Sequence, residues 1–262
     1  MSKRAYAQEV LGKILRPLSG VYDLGPQHFI DWDWREHPQL PLVGGWDIGG
    51  DGHHYFILFQ VLVDTMLHRD GRELRAGTWI ACDEQVGDEM PRARFRTSTL
   101  KWLIEHGARN VRYIVYDRAV PNEGQALQGQ LPDTWVKALD QKHDQYITNG
   151  IEMVRDQLDP VNTPPRILFA NCLNKVDPAQ GKTASIIPAM RNYRYQLDIN
   201  RNPTTTPLKD NTNDHACDAL RMAVVGTKDA AEILGGVVLS QRNLGPTGEH
   251  ADGRSGNLIP HF

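Results

Sequence analysis

The chain has 262 residues, with 29 basic and 32 acidic side chains and a formal net charge of −3. Charged residues make up 23% and hydrophobic ones 40%, which excludes wholesale disorder, collagen-like repetition and a coiled coil, and the length suits one large domain or two small ones. No apolar run approaches the ~20 residues of a membrane span, the N-terminus lacks a signal-peptide core, and three scattered cysteines, Cys82, Cys172 and Cys217, exclude a disulfide framework or a thiolate zinc site and fit a reducing compartment.

In chain order, residues 1–40 carry little periodicity beyond a short helical stretch at Val10–Leu15. Their aromatic run around Trp32 and Trp34 suggests a leader or linker that packs on a neighbour through its tryptophans. Residues 42–48 read as a strand, followed by the turn Gly49-Gly50-Asp51-Gly52. Residues 54–63 are strongly β-prone. Arg69-Asp70-Gly71 is a turn signal, and a third strand fits 76–83, making an antiparallel meander. Thr97-Ser98-Thr99 then opens a helix with Leu100, Leu103 and Ile104 on one face and Gly107 as its stop. Residues 111–116 form a fourth strand closed by Asp117. A Gly- and Gln-rich loop leads to a helix over 143–158, a fifth strand at 166–170, and helices at 185–197 and 213–225. The tail from Leu239 is polar and Gly-rich, as mobile tails are. The order β-β-β-α-β-α-β-α-α predicts an α/β fold, a mixed sheet of three antiparallel then parallel strands with helices on both faces, as in ribonuclease H-like proteins.

Certain acids sit where chemistry is done. Asp47 lies inside an apolar strand, where a carboxylate is disfavoured and an unpaired one costly. Its flanking glycines leave room for something to approach the backbone. Asp117 ends a strand, where open α/β sheets place their sites. Asp214 and Asp218, four apart, share a helical face, with His215 three residues before Asp218. With the first and fourth strands adjacent and parallel, Asp47 comes beside Asp117, and the last helix crosses the same edge. Such carboxylates suit Mg2+ or Mn2+, and two such ions clamp the attacking and leaving oxygens of a phosphoryl displacement. Taken singly, each acid also has a plain role: a turn cap, a loop-initiating residue, a helix N-cap or the partner of Arg221.

Gly45-Trp46-Asp47-Ile48-Gly49, Val115-Tyr116-Asp117-Arg118-Ala119 and Asn213-Asp214-His215-Ala216-Cys217-Asp218-Ala219-Leu220-Arg221 together resemble the nuclease domain of the large terminase subunit of tailed bacteriophages. Ile187–Tyr193 resembles the helix before the last, and the likeness spans roughly 42–226. Met222 stands where that family has an aromatic. The resemblance implies a ribonuclease H-like nuclease domain over 41–232, between a linker (1–40) and a flexible tail (233–262). It implies a metal-dependent endonuclease that cuts concatemeric viral DNA during packaging, in the host cytoplasm. Asp47, Asp117 and Asp218 would be catalytic, with Asp214 and His215 as further candidate metal ligands and Asp51 as an accessory acid. The implied partners are double-stranded DNA, an ATPase motor, a small terminase subunit and a portal. Gly181-Lys182-Thr183 lacks the earlier glycine of a P-loop and reads as a helix-entry loop, so the motor is expected on a separate or removed segment. For DNA contact, Arg92, Arg94 and Arg96 alternate, which on an extended segment puts them on one side, with Lys101 near. Arg191, Arg194 and Arg201 form a second basic group. Other readings are a junction resolvase or transposase core, or a docking module that does not cleave.

Overall fold

The computed structural model describes residues 20–50, 52–139, 143–175 and 182–227. Val10–Leu15, Asp51, Gly181 and the tail from 233 lie outside the described residues. The elements in chain order are β1 (Phe29–Ile30), β2 (Leu42–Ile48), β3 (His54–Val61), β4 (Met66–Leu67), β5 (Glu73–Leu74), β6 (Trp79–Gly87), α1 (Arg92–Glu105), β7 (Val111–Tyr116), α2 (Pro121–Gln130), β8 (Trp135–Ala138), α3 (His143–Leu158), β9 (Ile167–Ala170), α4 (Ile186–Asn192), β10 (Tyr195–Leu197), β11 (Pro203–Pro207) and α5 (Asp214–Gly226). None of the described helices is long and apolar enough to cross a membrane.

Seven strands form one mixed sheet in the order β1-β9-β6-β3-β2-β7-β8. The meander β2–β3–β6 is antiparallel, and β7, β8 and β9 join parallel to their neighbours. The central strands β2 and β3 are buried along their whole length, as expected where both faces of a sheet are covered. Phe56 on one face meets Trp102 of α1. On the opposite face α5 crosses β2, and a Cβ at Gly45 would lie 2.0 Å from the Ala219 carbonyl oxygen. At Gly44 a Cβ would meet the Phe56 ring at 2.7 Å. The room that the sequence expects beside these two glycines is taken by this chain's own helix and ring. Helix α5 is buried on every side, the pattern of a helix at the centre of a core.

Several elements differ from the sequence expectation. Helix α1 begins at Arg92, directly after Pro91, so Thr97 and Thr99 lie inside it. Their hydroxyls donate to the carbonyls of Ala93 (3.0 Å) and Phe95 (2.9 Å) inside the helix. Gly107 does end it, at φ +69°, but Ile104 faces solvent. The Gly- and Gln-rich loop is α2 followed by β8, so the strand beside β7 is 135–138. The predicted fifth strand, β9, lies at the other side of the sheet beside β6. The helix expected over 185–197 stops at Asn192, and the chain turns into the hairpin β10–β11. Residues 20–40 are part of this fold: β1 pairs with β9, and Trp32 and Trp34 are buried in the common core instead of meeting a neighbouring unit.

Candidate functional site

The parallel register of β2 on β7 aligns Trp46 with Tyr116. One step further, Asp47 and the residue after β7, Asp117, stand at the same end of the sheet. Asp47 shares its face with Gly45, the face that α5 covers. The first turn of α5 thus lies over Asp47, and His215 Nδ1 is 2.7 Å from Asp47 Oδ2. Both groups are buried. This contact joins residues 168 apart in sequence, so the fold brings together two of the residues singled out in the sequence.

Asp214 and Asp218 are buried on the same helix. Asp218 pairs with Arg221, whose side chain is 1% exposed. A Cβ at Gly150 of α3 would sit 2.6 Å from Arg221 Cγ, so a glycine there makes room for the arginine. Asp218 also pairs with Lys209, whose Nζ is 3.6 Å from Asp214 Oδ2. Burial pushes the carboxyl groups of Asp47 and Asp214 above their ordinary range, against the pull of His215 and Lys209. Burial acts on Asp218 in the same sense, but Arg221 and Lys209 outweigh it and hold that carboxyl low.

Asp117 is partly exposed, and its Oδ1 accepts the Ala119 N–H at 2.9 Å, closing the turn after β7. Among the described residues no three His, Cys, Asp or Glu side chains stand together as an ion's ligands. Asp47 and the α5 acids Asp214 and Asp218 do lie near one another at one end of the sheet, with cations and an imidazole set against them. The donor set, carboxylate oxygens with one imidazole, is of the kind Mg2+ and Mn2+ take. Asp214 Oδ1 is a buried oxygen with no hydrogen-bond partner, which a bound cation would satisfy. The residues present therefore fit a divalent ion.

The site holds groups that sequence reasoning missed. Lys209 lies in a polar loop with no periodicity to mark it. His53 follows the glycine-rich turn after β2, and its ring stacks on His215 with centroids 5.8 Å apart. Asp88 fixes His53, with Oδ1 2.8 Å from His53 Nδ1, and accepts from the Thr183 hydroxyl (2.7 Å) and N–H (3.1 Å). A histidine directly after a strand-end acid and its glycine turn was the available signal. Glu84, buried in β6, accepts from the Tyr55 and Ser185 hydroxyls and from the Ile186 N–H at 3.0 Å, tying α4 to the sheet.

The basic group of the sequence is rearranged. Arg92, Arg94 and Arg96 lie on the first turns of α1, and at ~100° per residue Arg94 points away from the other two. Arg92 Nε is 3.3 Å from the Gly49 carbonyl oxygen, at the Asp47 end of the sheet. Arg96 pairs with Glu123 of α2, and Lys101 with Glu105 at 3.5 Å. Arg191 bonds Asn174, and Arg201 takes a positive φ in the β10–β11 turn. Lys182 and Thr183 lead into α4, bonded to Glu89 and Asp88, the helix-entry role expected of them.

No protein-family model and no curated protein matches this chain. Solved structures do. The nuclease domain of g2p, the large terminase of bacteriophage SPP1, with bound Mn, superposes with a TM-score of 0.51 at 18% identity, over 75% of this chain and 94% of that one. The large terminase of a thermophilic bacteriophage superposes with a TM-score of 0.56 at 18% identity, over 87% of this chain and 49% of that one. The chain thus spans about half the length of that thermophilic phage protein. The fold is that of terminase nuclease domains, with the mixed sheet of ribonuclease H-like proteins.

Proposed function

We propose that this chain is a divalent-metal-dependent endodeoxyribonuclease that cuts concatemeric viral DNA during genome packaging. The observation that carries the reading is the buried Asp47–His215 contact, made across β2 and α5 at the sheet end where β7 delivers Asp117. The Mn-bound SPP1 nuclease domain of the same fold supports the metal.

With two ions bound, Asp47 and Asp117 would hold one from the strands, and Asp214 and Asp218 would hold the other from α5. A bound ion supplies Lewis acidity at a scissile phosphodiester and lowers the pKa of a coordinated water. The chain's own residues do the rest. His215 is held by Asp47 and is a further donor. Arg221, locked between α3 and α5, fixes the rotamer of Asp218. Burial of the acids excludes bulk water and strengthens their hold on a cation. Asp51 remains an accessory candidate, shortly after Asp47 in the sequence. Arg92 bonds the Gly49 carbonyl at the Asp47 end of the sheet and Arg94 is exposed on the same helix; both are phosphate contacts in this reading, whereas Arg96 is held by Glu123 and Lys101 shares an exposed pair with Glu105. Duplex DNA is the substrate, and an ATPase motor, a small terminase subunit and a portal are the partners of such a nuclease.

A supercoiled plasmid incubated with the protein and Mn2+ or Mg2+ is the test. Nicking that EDTA abolishes is expected, reduced at least about a hundredfold by Asp47→Asn or Asp117→Asn. Undiminished nicking by both variants rejects the assignment. A second reading, a docking module that does not cleave, is favoured by Lys209 standing where a cation would bind Asp218. Metal-dependent nicking excludes it, and a four-way junction run beside the plasmid separates a junction resolvase from a packaging nuclease.

A further inference from the structure

Two cations neutralise the α5 carboxylates, and they differ in one respect. Arg221 is enclosed: its side chain is 1% exposed and packs at Gly150. Lys209 is not, with a side chain 47% exposed, while the Asp214 and Asp218 side chains beneath it are 4% and 11% exposed. The ammonium caps the two carboxylates from the solvent side. The loop that delivers it is anchored at the next residue, since Asp210 Oδ1 accepts the N–H groups of Thr212 (3.0 Å) and Asn213 (2.7 Å) at the start of α5. The backbone of Lys209 is thereby held near α5 while its long, flexible side chain can leave. The second oxygen of Asp214, Oδ1, is buried without a hydrogen-bond partner, so the ammonium satisfies this pocket of negative charge only in part.

A divalent ion that used Asp214 and Asp218 would need the Asp218 oxygen that Lys209 holds, and would stand within a few ångströms of a like charge. The two cannot share the position. We propose that Lys209 is the built-in counter-ion of the Asp214–Asp218 position, and that this position accepts a divalent ion only when the lysine side chain leaves it. The inference rests on the metal-site reading above and concerns only its α5 half. It also gives the lysine a direction to move: a phosphodiester offers the ammonium of this half-exposed side chain another anion. Substrate arrival then vacates the position, and an ion enters when there is DNA to cut.

The test counts Mn2+ ions bound per 262-residue chain, by titration with the free ion read by electron paramagnetic resonance, in wild type, Lys209→Met and Lys209→Arg. The methionine keeps the length and apolar stem of lysine and removes the charge; the arginine keeps the charge. Lys209→Met is expected to bind one more Mn2+ per chain than wild type, and Lys209→Arg the same number as wild type. The metal-free Lys209→Met protein should also melt at a lower temperature than Lys209→Arg, because Asp214 and Asp218 lose a counter-ion. Lys209→Gln serves in the same way if the methionine variant loses its circular-dichroism spectrum. Equal, non-zero Mn2+ counts in all three proteins overturn the role of Lys209 and leave the metal site standing. No binding by any of them overturns the metal site as well.

Discussion

At the scale of single residues, the informative contacts are between segments far apart in the chain. Asp47, Asp117 and His215 are legible because their local settings are odd: a carboxylate in an apolar strand, another at a strand end, a histidine between acids at a helix start. Lys209 and Asp88 are not, since each matters only through a partner that the fold supplies, and His53 is marked only by following Asp47 and its glycine turn. Asp88 receives bonds from Thr183, 95 residues away. Burial opposes its charge, but the bonds from Thr183 and His53 outweigh it and hold its carboxyl below the ordinary range. A depressed folded-state pKa contributes stability above the unfolded pKa, and that stability is lost as pH falls through the folded value. Asp88→Asn should therefore destabilise the protein by about 1–2 kcal/mol at pH 7. The difference between the two proteins should shrink as pH drops below the unfolded carboxylate value of about 3.9. Urea melts at neutral and acid pH measure this, and a gap that persists undiminished in acid contradicts the charged role.

At the scale of elements, β2, β3, β7, β9 and α5 follow from apolar runs and their punctuation. The misses have physical reasons. Helix α2, with two glycines and three glutamines in ten residues, hides its helical period because few of its side chains are apolar. Strand β8 is a short edge strand whose groups are satisfied by α2: Gln128 Oε1 accepts the Val136 N–H (2.9 Å), and its Nε2 donates to the Thr134 carbonyl (2.8 Å). A side chain thus stands in for a further strand and blunts the edge. The start of α1 was missed because threonine hydroxyls can bond backward within a helix as well as cap one. The seat of α5 on β2 carries the strongest expectation at this scale. Gly45→Ala would put a methyl group 2.0 Å from the Ala219 carbonyl oxygen, a backbone atom in a fully buried helix. That helix cannot shift without moving His215 off Asp47. A loss at the upper end of about 1–3 kcal/mol is expected, read as a fall in the midpoint of chemical denaturation. A stability unchanged within about 0.5 kcal/mol would show that α5 does not sit on β2.

At the scale of the whole molecule, charge decides how the chain meets a polyanion. The net charge of −3 rules out attraction by an overall positive field, so any DNA contact rests on a local patch. The fold narrows that patch. Arg96 is held by Glu123 in a partly buried pair, and Lys101 shares an exposed pair with Glu105. Arg92, beside Gly49, and Arg94 remain, with Lys209 at the site mouth. About two to four phosphates would then be neutralised, and log K should fall against log salt with a slope of about −0.9 per phosphate. Binding to a fluorescent duplex, followed by anisotropy in Ca2+ instead of Mn2+ or Mg2+ to hold back cleavage, should weaken about ten- to a hundredfold between roughly 50 and 200 mM salt. Arg92→Ala should make the slope shallower by about one unit and weaken binding alike on duplexes of different sequence, as the loss of a phosphate contact does. A slope left unchanged by Arg92→Ala would place the DNA elsewhere on the molecule. Tight binding indifferent to salt would mean that the protein does not grip the phosphate backbone through this basic edge at all.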